Sequence, residues 1–200
     1  LRLRIICFLA AVCLAVPAIV ADSARASAAQ RTAVTYFVPW SSGSLRSGFT
    51  VSQTIHGDCW TQSLVSGRPD AWRCEAGNDI YDPCFVGSIP TKVACGESPF
   101  SKRVVVMRLA KPIRSGAKPV STFLRPIGLP WGLRLTNGDT CAFVAGATDA
   151  VAGERLNYSC GKSGWIFGDP DRSGGQWVVH SANGPTSANV RTFRVASAIF

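Results

Sequence analysis

The sequence predicts a mainly β protein, in which a disulfide-stapled irregular layer packs on a C-terminal antiparallel meander or small barrel. Three observations lead there. Six cysteines, Cys59, Cys74, Cys84, Cys95, Cys141 and Cys160, follow an N-terminal stretch with the grammar of a secretory leader, and an even set in that context reads as three disulfides. Short alternating runs rich in β-branched and aromatic residues recur between turn-forming Gly, Pro, Asn and Asp residues. Asn137-Gly138, inside WGLRLTNGDTCAFVAG, is a strong local hairpin signal.

The leader comes first. Arg2 and Arg4 precede an apolar run from Ile5 to Ala21, and small residues follow at Ala24, Ala26 and Ala28. A basic start, an apolar middle and small residues at the cleavage point define a signal peptide. Residues 1–26 are assigned to it and 27–200 to one secreted β-rich domain. An uncleaved anchor is the alternative, because the run sits at the short edge of the roughly 20 residues a spanning helix needs. With cleavage, no membrane span is expected in the remainder. The chain has 21 Lys and Arg against 12 Asp and Glu, a net charge of +9; loss of Arg2, Arg4, Arg25 and Asp22 leaves it at +7. A basic exported protein meets anionic envelope polymers and headgroups readily, although charge of this size also serves solubility alone.

The elements follow in order. Residues 32–40 alternate (Val34, Tyr36, Val38) up to Pro39 and predict a strand, and 41–48 predict a loop. Phe49, Val51, Gln53 and Ile55 share a parity and predict a second strand, ended by a turn at His56-Gly57-Asp58. Residues 56–100 form the disulfide-rich layer. Prolines and glycines interrupt it throughout, so it reads as irregular, with one short strand near Lys92–Cys95. Nearest-neighbour pairing, Cys59–Cys74, Cys84–Cys95 and Cys141–Cys160, is the simplest of the possible connectivities. Residues 103–109, RVVVMRL, predict a strand buried on both faces. Residues 131–200 predict the antiparallel sheet. A three-residue loop with Gly138 left-handed places Leu133 opposite Cys141 and Trp131 opposite Phe143, bringing apolar partners together. Further strands are predicted at 156–160, 165–167, 176–181 and 191–199, with Phe193, Val195 and Ile199 facing the core.

Chemistry is sparse. Two histidines and no Cys-x-x-Cys pair argue against structural zinc. Asp169-Pro170-Asp171-Arg172-Ser173-Gly174 resembles the start of a calcium loop, but His180 holds the position of its closing acid, so a hairpin loop is expected. No G-x-S-x-G elbow and no phosphate-binding glycine loop is present. No cofactor is predicted. The residues set out as candidate binding groups are Trp60, Trp72, Arg68, Asp70 and Tyr81 of the cysteine block. Lys102, Arg103, Lys111, Arg114 and Lys118 are added as an anion-facing patch without acidic balance. Arg68, Asp70, Arg73, Glu75, Asp79 and Asp82 interleave opposite signs, and a local network of salt bridges and turns is a simpler account of them than a polar ligand site lined by Trp72 and Tyr81. Asp79 and Asp82 are also close enough in sequence to serve as paired carboxylates of a glycoside hydrolase. No aromatics interleave with the second set, so no specific nucleic-acid recognition is expected.

The block from Cys59 to Phe85, with Cys59-Trp60-Thr61, Asp70-Ala71-Trp72-Arg73-Cys74 and Asp82-Pro83-Cys84-Phe85, resembles one in secreted or membrane-tethered proteins of high-GC Gram-positive bacteria. Asn137-Gly138-Asp139-x-Cys141 and Leu156-Asn157-Tyr158-x-Cys160-Gly161 extend the resemblance over most of 56–200. It implies a lineage and an extracellular address, and transfers no activity and no site residue. The expected function is a non-catalytic extracellular module binding an anionic cell-envelope component. The alternatives are an extracellular hydrolase using His56 or His180 with a nearby carboxylate, and a structural or inhibitory protein that binds another secreted protein through residues 68–82.

Overall fold

The computed structural model describes residues 30–113, 128–184, 186 and 189–200. The predicted leader, Arg114 and Lys118 lie outside them. Among the described residues the regular elements are strands, and they close into two barrels.

The first barrel is built from β4 (Thr50–Gln62), β5 (Ala71–Ala76), β6 (Asp79–Val86), β7 (Lys92–Gly96) and β8 (Arg103–Leu109). Four neighbours pair antiparallel, and a parallel pairing of β4 with β8 closes the ring. The cysteine block is therefore regular, which corrects the irregular layer expected from its prolines and glycines. The expected turn at 56–58 is also strand. Gly57 is there because β5 comes close: a Cβ on it would lie 2.1 Å from the Glu75 carbonyl oxygen and 2.8 Å from Met107 Sδ. A glycine inside a strand commonly marks such an approach.

The interior of this barrel takes residues from all five strands: Ile55, Trp72, Cys74, Cys84, Val93, Val105 and Met107 belong to one apolar cluster. Two disulfides sit in it. Cys59 and Cys74 are directly opposite on β4 and β5, as are Cys84 and Cys95 on β6 and β7. Adjacent strands bring such partners within bridging distance without backbone movement, so pairing of nearest neighbours in sequence is the outcome. β8 is buried on both faces, as its apolar run predicts. Val105 and Met107 point inward, while Val104 and Val106 join a second cluster outside the barrel.

The second barrel contains β9 (Gly132–Leu135), β10 (Thr140–Phe143), β12 (Glu154–Cys160), β13 (Trp165–Asp171), β14 (Val178–Ala182) and β15 (Arg191–Ile199), with β15 pairing back onto β9. The two-residue β11 (Ala150–Val151) adds to β12. The hairpin register is the three-residue form: Leu133 is opposite Cys141, the Phe143 amide donates to the Trp131 carbonyl at 2.9 Å, and Gly138 has φ 88°. Cys141–Cys160 bridges directly opposed positions of β10 and β12. Leu133, Leu135, Tyr158, Ile166, Val179 and Val195 are fully buried. Val195 is buried in the core and Phe193 and Ile199 pack against it half-buried, as expected; a bulge between Val195 and Ser197 shifts the alternation, so Ala198 is buried as well.

The N-terminal segment joins the two barrels. β1 (Ala33–Thr35) pairs parallel with β15, so only part of the strand expected at 32–40 forms. The chain then passes Phe37 and makes a two-residue ribbon, β2 (Trp40–Ser41) with β3 (Ser44–Leu45). Phe37, Trp40 and Trp131 form one apolar cluster with Phe85 and Val104 of the first barrel and Leu133 and Tyr158 of the second. Phe37 and Trp131 meet edge to face at 5.1 Å. Gly96 admits this packing, since a Cβ there would lie 2.5 Å from the Trp131 ring.

Candidate functional site

A cleft opens where the two barrels and the N-terminal segment meet. Its wall includes Tyr36 and Phe37 after β1, Arg46 and Phe49 before β4, Phe100 and Lys102 of the β7–β8 loop, Arg134 of β9 and Ile199 of β15, around a cavity of about 280 Å³. Each group is placed by the fold. The Arg46 amide donates to the Pro39 carbonyl at 2.8 Å, which seats the loop before β4. On β9, Leu133 and Leu135 face inward, so Arg134 between them must face out. Gly132 lets the β7–β8 loop press against β9, since a Cβ there would fall 2.6 Å from the Pro99 ring.

The cleft combines rings and cations. The Arg134 guanidinium lies 4.8 Å from the Phe100 centroid, and the Lys102 ammonium 6.0 Å from the Phe49 centroid. Tyr36 is 63% exposed, a high value for so large a ring. Among the described residues, no carboxylate lines the cavity. Among the described residues, the ion pairs are Arg68–Asp70 and Arg103–Glu97, and neither involves Arg46, Lys102 or Arg134. Three cations in no ion pair among the described residues, beside an exposed aromatic face, fit an anionic ligand that also carries an apolar or sugar face.

Of the candidates read from the sequence, Lys102 lines this cleft. Arg103 is turned to Glu97 at 3.3 Å, and Lys111 is exposed beyond the end of β8. Trp72 is corrected: it is buried inside the first barrel and offers no surface, because its parity on β5 is that of Cys74. Tyr81 packs against the same cluster. Arg68 and Asp70 are an ion pair, and the Arg68 guanidinium also donates to the Phe37 and Phe200 carbonyls and lies 4.7 Å from the Phe85 ring centroid. Only the Arg68–Asp70 pair of the expected local network is an ion pair among the described residues, and the carbonyls Arg68 holds come from distant segments, so it clasps the N-terminal segment and Phe200 to the first barrel. Trp60 is 49% exposed, with the Arg73 guanidinium 5.7 Å from its ring centroid.

The other groups considered for catalysis fall in separate places. Asp79 is exposed at the start of β6. Asp82 accepts hydrogen bonds from the Ser63 hydroxyl and the Leu64 amide, and burial pushes its carboxyl above the usual range. His180 is exposed, because Val179 and Ser181 take the inward positions of β14. It shares a cavity of about 390 Å³ with Glu154 and Asp169 of the second barrel, away from the cysteine block. His56 lines a different cavity, with Lys92 and Arg108 and no carboxylate. Residues 68–82 form no protruding loop; they run through β5 and into β6.

Sequence reasoning missed Tyr36, Arg46, Phe49, Phe100 and Arg134 as site residues. The outward direction of Arg134 was legible from the hairpin register, but the rings that meet the cations come from distant segments. Compared with known proteins, the chain matches no family model, no curated protein and no solved structure. Three disulfides are the mark of a protein that matures in an oxidising, extracellular type of compartment. No helix of the described residues is long and apolar enough to cross a membrane.

Proposed function

We propose that this chain is a secreted, non-catalytic extracellular module that binds an anionic cell-envelope component in the cleft between its two barrels. One observation carries the reading: Arg46, Lys102 and Arg134 converge on a single cavity with Tyr36, Phe49 and Phe100 and no carboxylate. The exposed Tyr36 ring offers a stacking face for a sugar, and the cations take acidic groups along a polymer. Export is supported by the leader grammar at the N-terminus and by the three disulfides.

The test is a titration of the oxidised protein with soluble fragments of an anionic wall polysaccharide, followed by NMR of the aromatic rings. The expected outcome is saturable shifts at Tyr36, Phe49 and Phe100, with at least a tenfold loss of affinity in Arg134→Gln and Lys102→Gln. Shifts confined to other surfaces, or variants that bind as the wild type does, overturn the reading.

A further inference from the structure

A second basic cavity stands on the outer wall of the first barrel. His56 of β4 is directly opposite Arg108 of β8, and Arg108 is directly opposite Lys92 of β7. Directly opposed residues project from the same face of a sheet, on strands about 4.7–4.9 Å apart, so the three side chains stand in one row across three strands. All three line one open cavity of about 490 Å³, with Ile89, Thr91 and Leu109 completing the wall.

That row is costly by itself. Like charges directly opposite across a strand pair destabilise a sheet, and Lys92 and Arg108 are such a pair. Neither is in an ion pair among the described residues. Asp58, two residues beyond His56 on β4, and its cross-strand neighbour Glu75 line no part of the cavity. The row is also held in place. The Lys92 ammonium is 5.1 Å from the Trp40 ring centroid, and the Trp40 indole N–H donates to the Phe85 carbonyl at 2.8 Å.

We infer that His56, Lys92 and Arg108 form a binding site for a phosphate-class oxyanion, separate from the cleft between the barrels. An oxyanion between them relieves the repulsion of Lys92 and Arg108. Arg108 supplies a planar fork that pairs with two oxygens of a phosphate, and Lys92 supplies a point charge beside it. His56 supplies a ring N–H to a third oxygen. A free phosphate group and a phospholipid headgroup present this same chemistry, and two probes separate them.

The oxidised protein is titrated with inorganic phosphate and read by the His56 ring signals. It is also floated with phosphatidylglycerol vesicles against phosphatidylcholine vesicles. Arg108→Gln and Lys92→Gln are compared with Lys162→Gln, which removes the same charge from an exposed loop of the second barrel. The expected result is saturable phosphate binding that both substitutions weaken at least tenfold and Lys162→Gln leaves unchanged. Arg108-dependent flotation with phosphatidylglycerol and no response to inorganic phosphate supports the same site with a lipid as the source. No saturable binding of either probe, or equal weakening by Lys162→Gln, overturns the inference. Thermal melting of each variant beside the wild type separates lost binding from lost folding.

Discussion

At the scale of single residues, Asp139 shows how one carboxylate fixes a corner of the second barrel. Its two oxygens accept from the amides of Thr140, Lys162 and Ser163 at 2.9, 2.8 and 2.6 Å. Burial opposes its ionisation, but the hydrogen bonds from Ser163, Thr140 and Lys162 outweigh it and hold the carboxyl below the usual range. A lowered carboxyl contributes stability that is present above its unfolded pKa and is lost as pH falls through the folded value. Solvent screens so accessible a carboxylate, so Asp139→Ala is expected to cost only about 1 kcal/mol at neutral pH, and urea unfolding across acidic pH is expected to show the gap to wild type closing. A gap that stays constant with pH contradicts this role. Asp82 has the opposite sign. Burial raises it, so its contribution is full below the ordinary carboxylate range and declines as pH rises through the raised value. Little of this was legible in the sequence. Asp139 follows Asn137-Gly138 in a recognisable turn, but Lys162 and Ser163 are brought to it only by the pairing of β10 with β12.

At the scale of elements, local signals specified what neighbours in sequence do. Asn137-Gly138 fixed the hairpin register, and nearest-neighbour cysteines bridge because β4–β5, β6–β7 and β10–β12 place them opposite one another. Local signals failed where distant chain closes a ring. The parallel pairing of β4 with β8 and of β1 with β15 leaves no mark in either segment. From sequence alone Gly57 reads as a turn for the same reason: a glycine signals a turn or a close approach, and only the position of β5 distinguishes them. Gly57→Ala is expected to cost about 3 kcal/mol, at the upper end of overpacking penalties. Gly174→Ala, whose Cβ would meet nothing nearer than 3.5 Å, is expected to stay within about 0.5 kcal/mol. Chemical unfolding of both variants checks the order, and equal costs would remove the close approach from the account.

At the scale of the whole molecule, two stapled barrels are held by one apolar cluster and by the Arg68 clasp. The three disulfides span 15, 11 and 19 residues, and loops of this size stabilise by about 3 kcal/mol each in the chain-entropy model. Reduction is thus expected to lower the melting temperature markedly, and an unchanged melt with reductant would discount the staples. The mainly β class was legible because period-two runs and turn residues recur along the chain. The cleft was not, because Tyr36, Arg46, Phe100 and Arg134 are spread over about half of the sequence and meet only when both barrels close.

The most direct test of the central claim is co-sedimentation of the mature, oxidised protein with purified cell-envelope material at low and high salt. The wild type is compared with Arg46→Gln, Lys102→Gln and Arg134→Gln combined. The account predicts retention that weakens with salt, as exposed charges are screened within about 10 Å at 0.1 M, and that the triple variant abolishes. Retention unchanged in the triple variant, or none for the wild type at either salt, would contradict it.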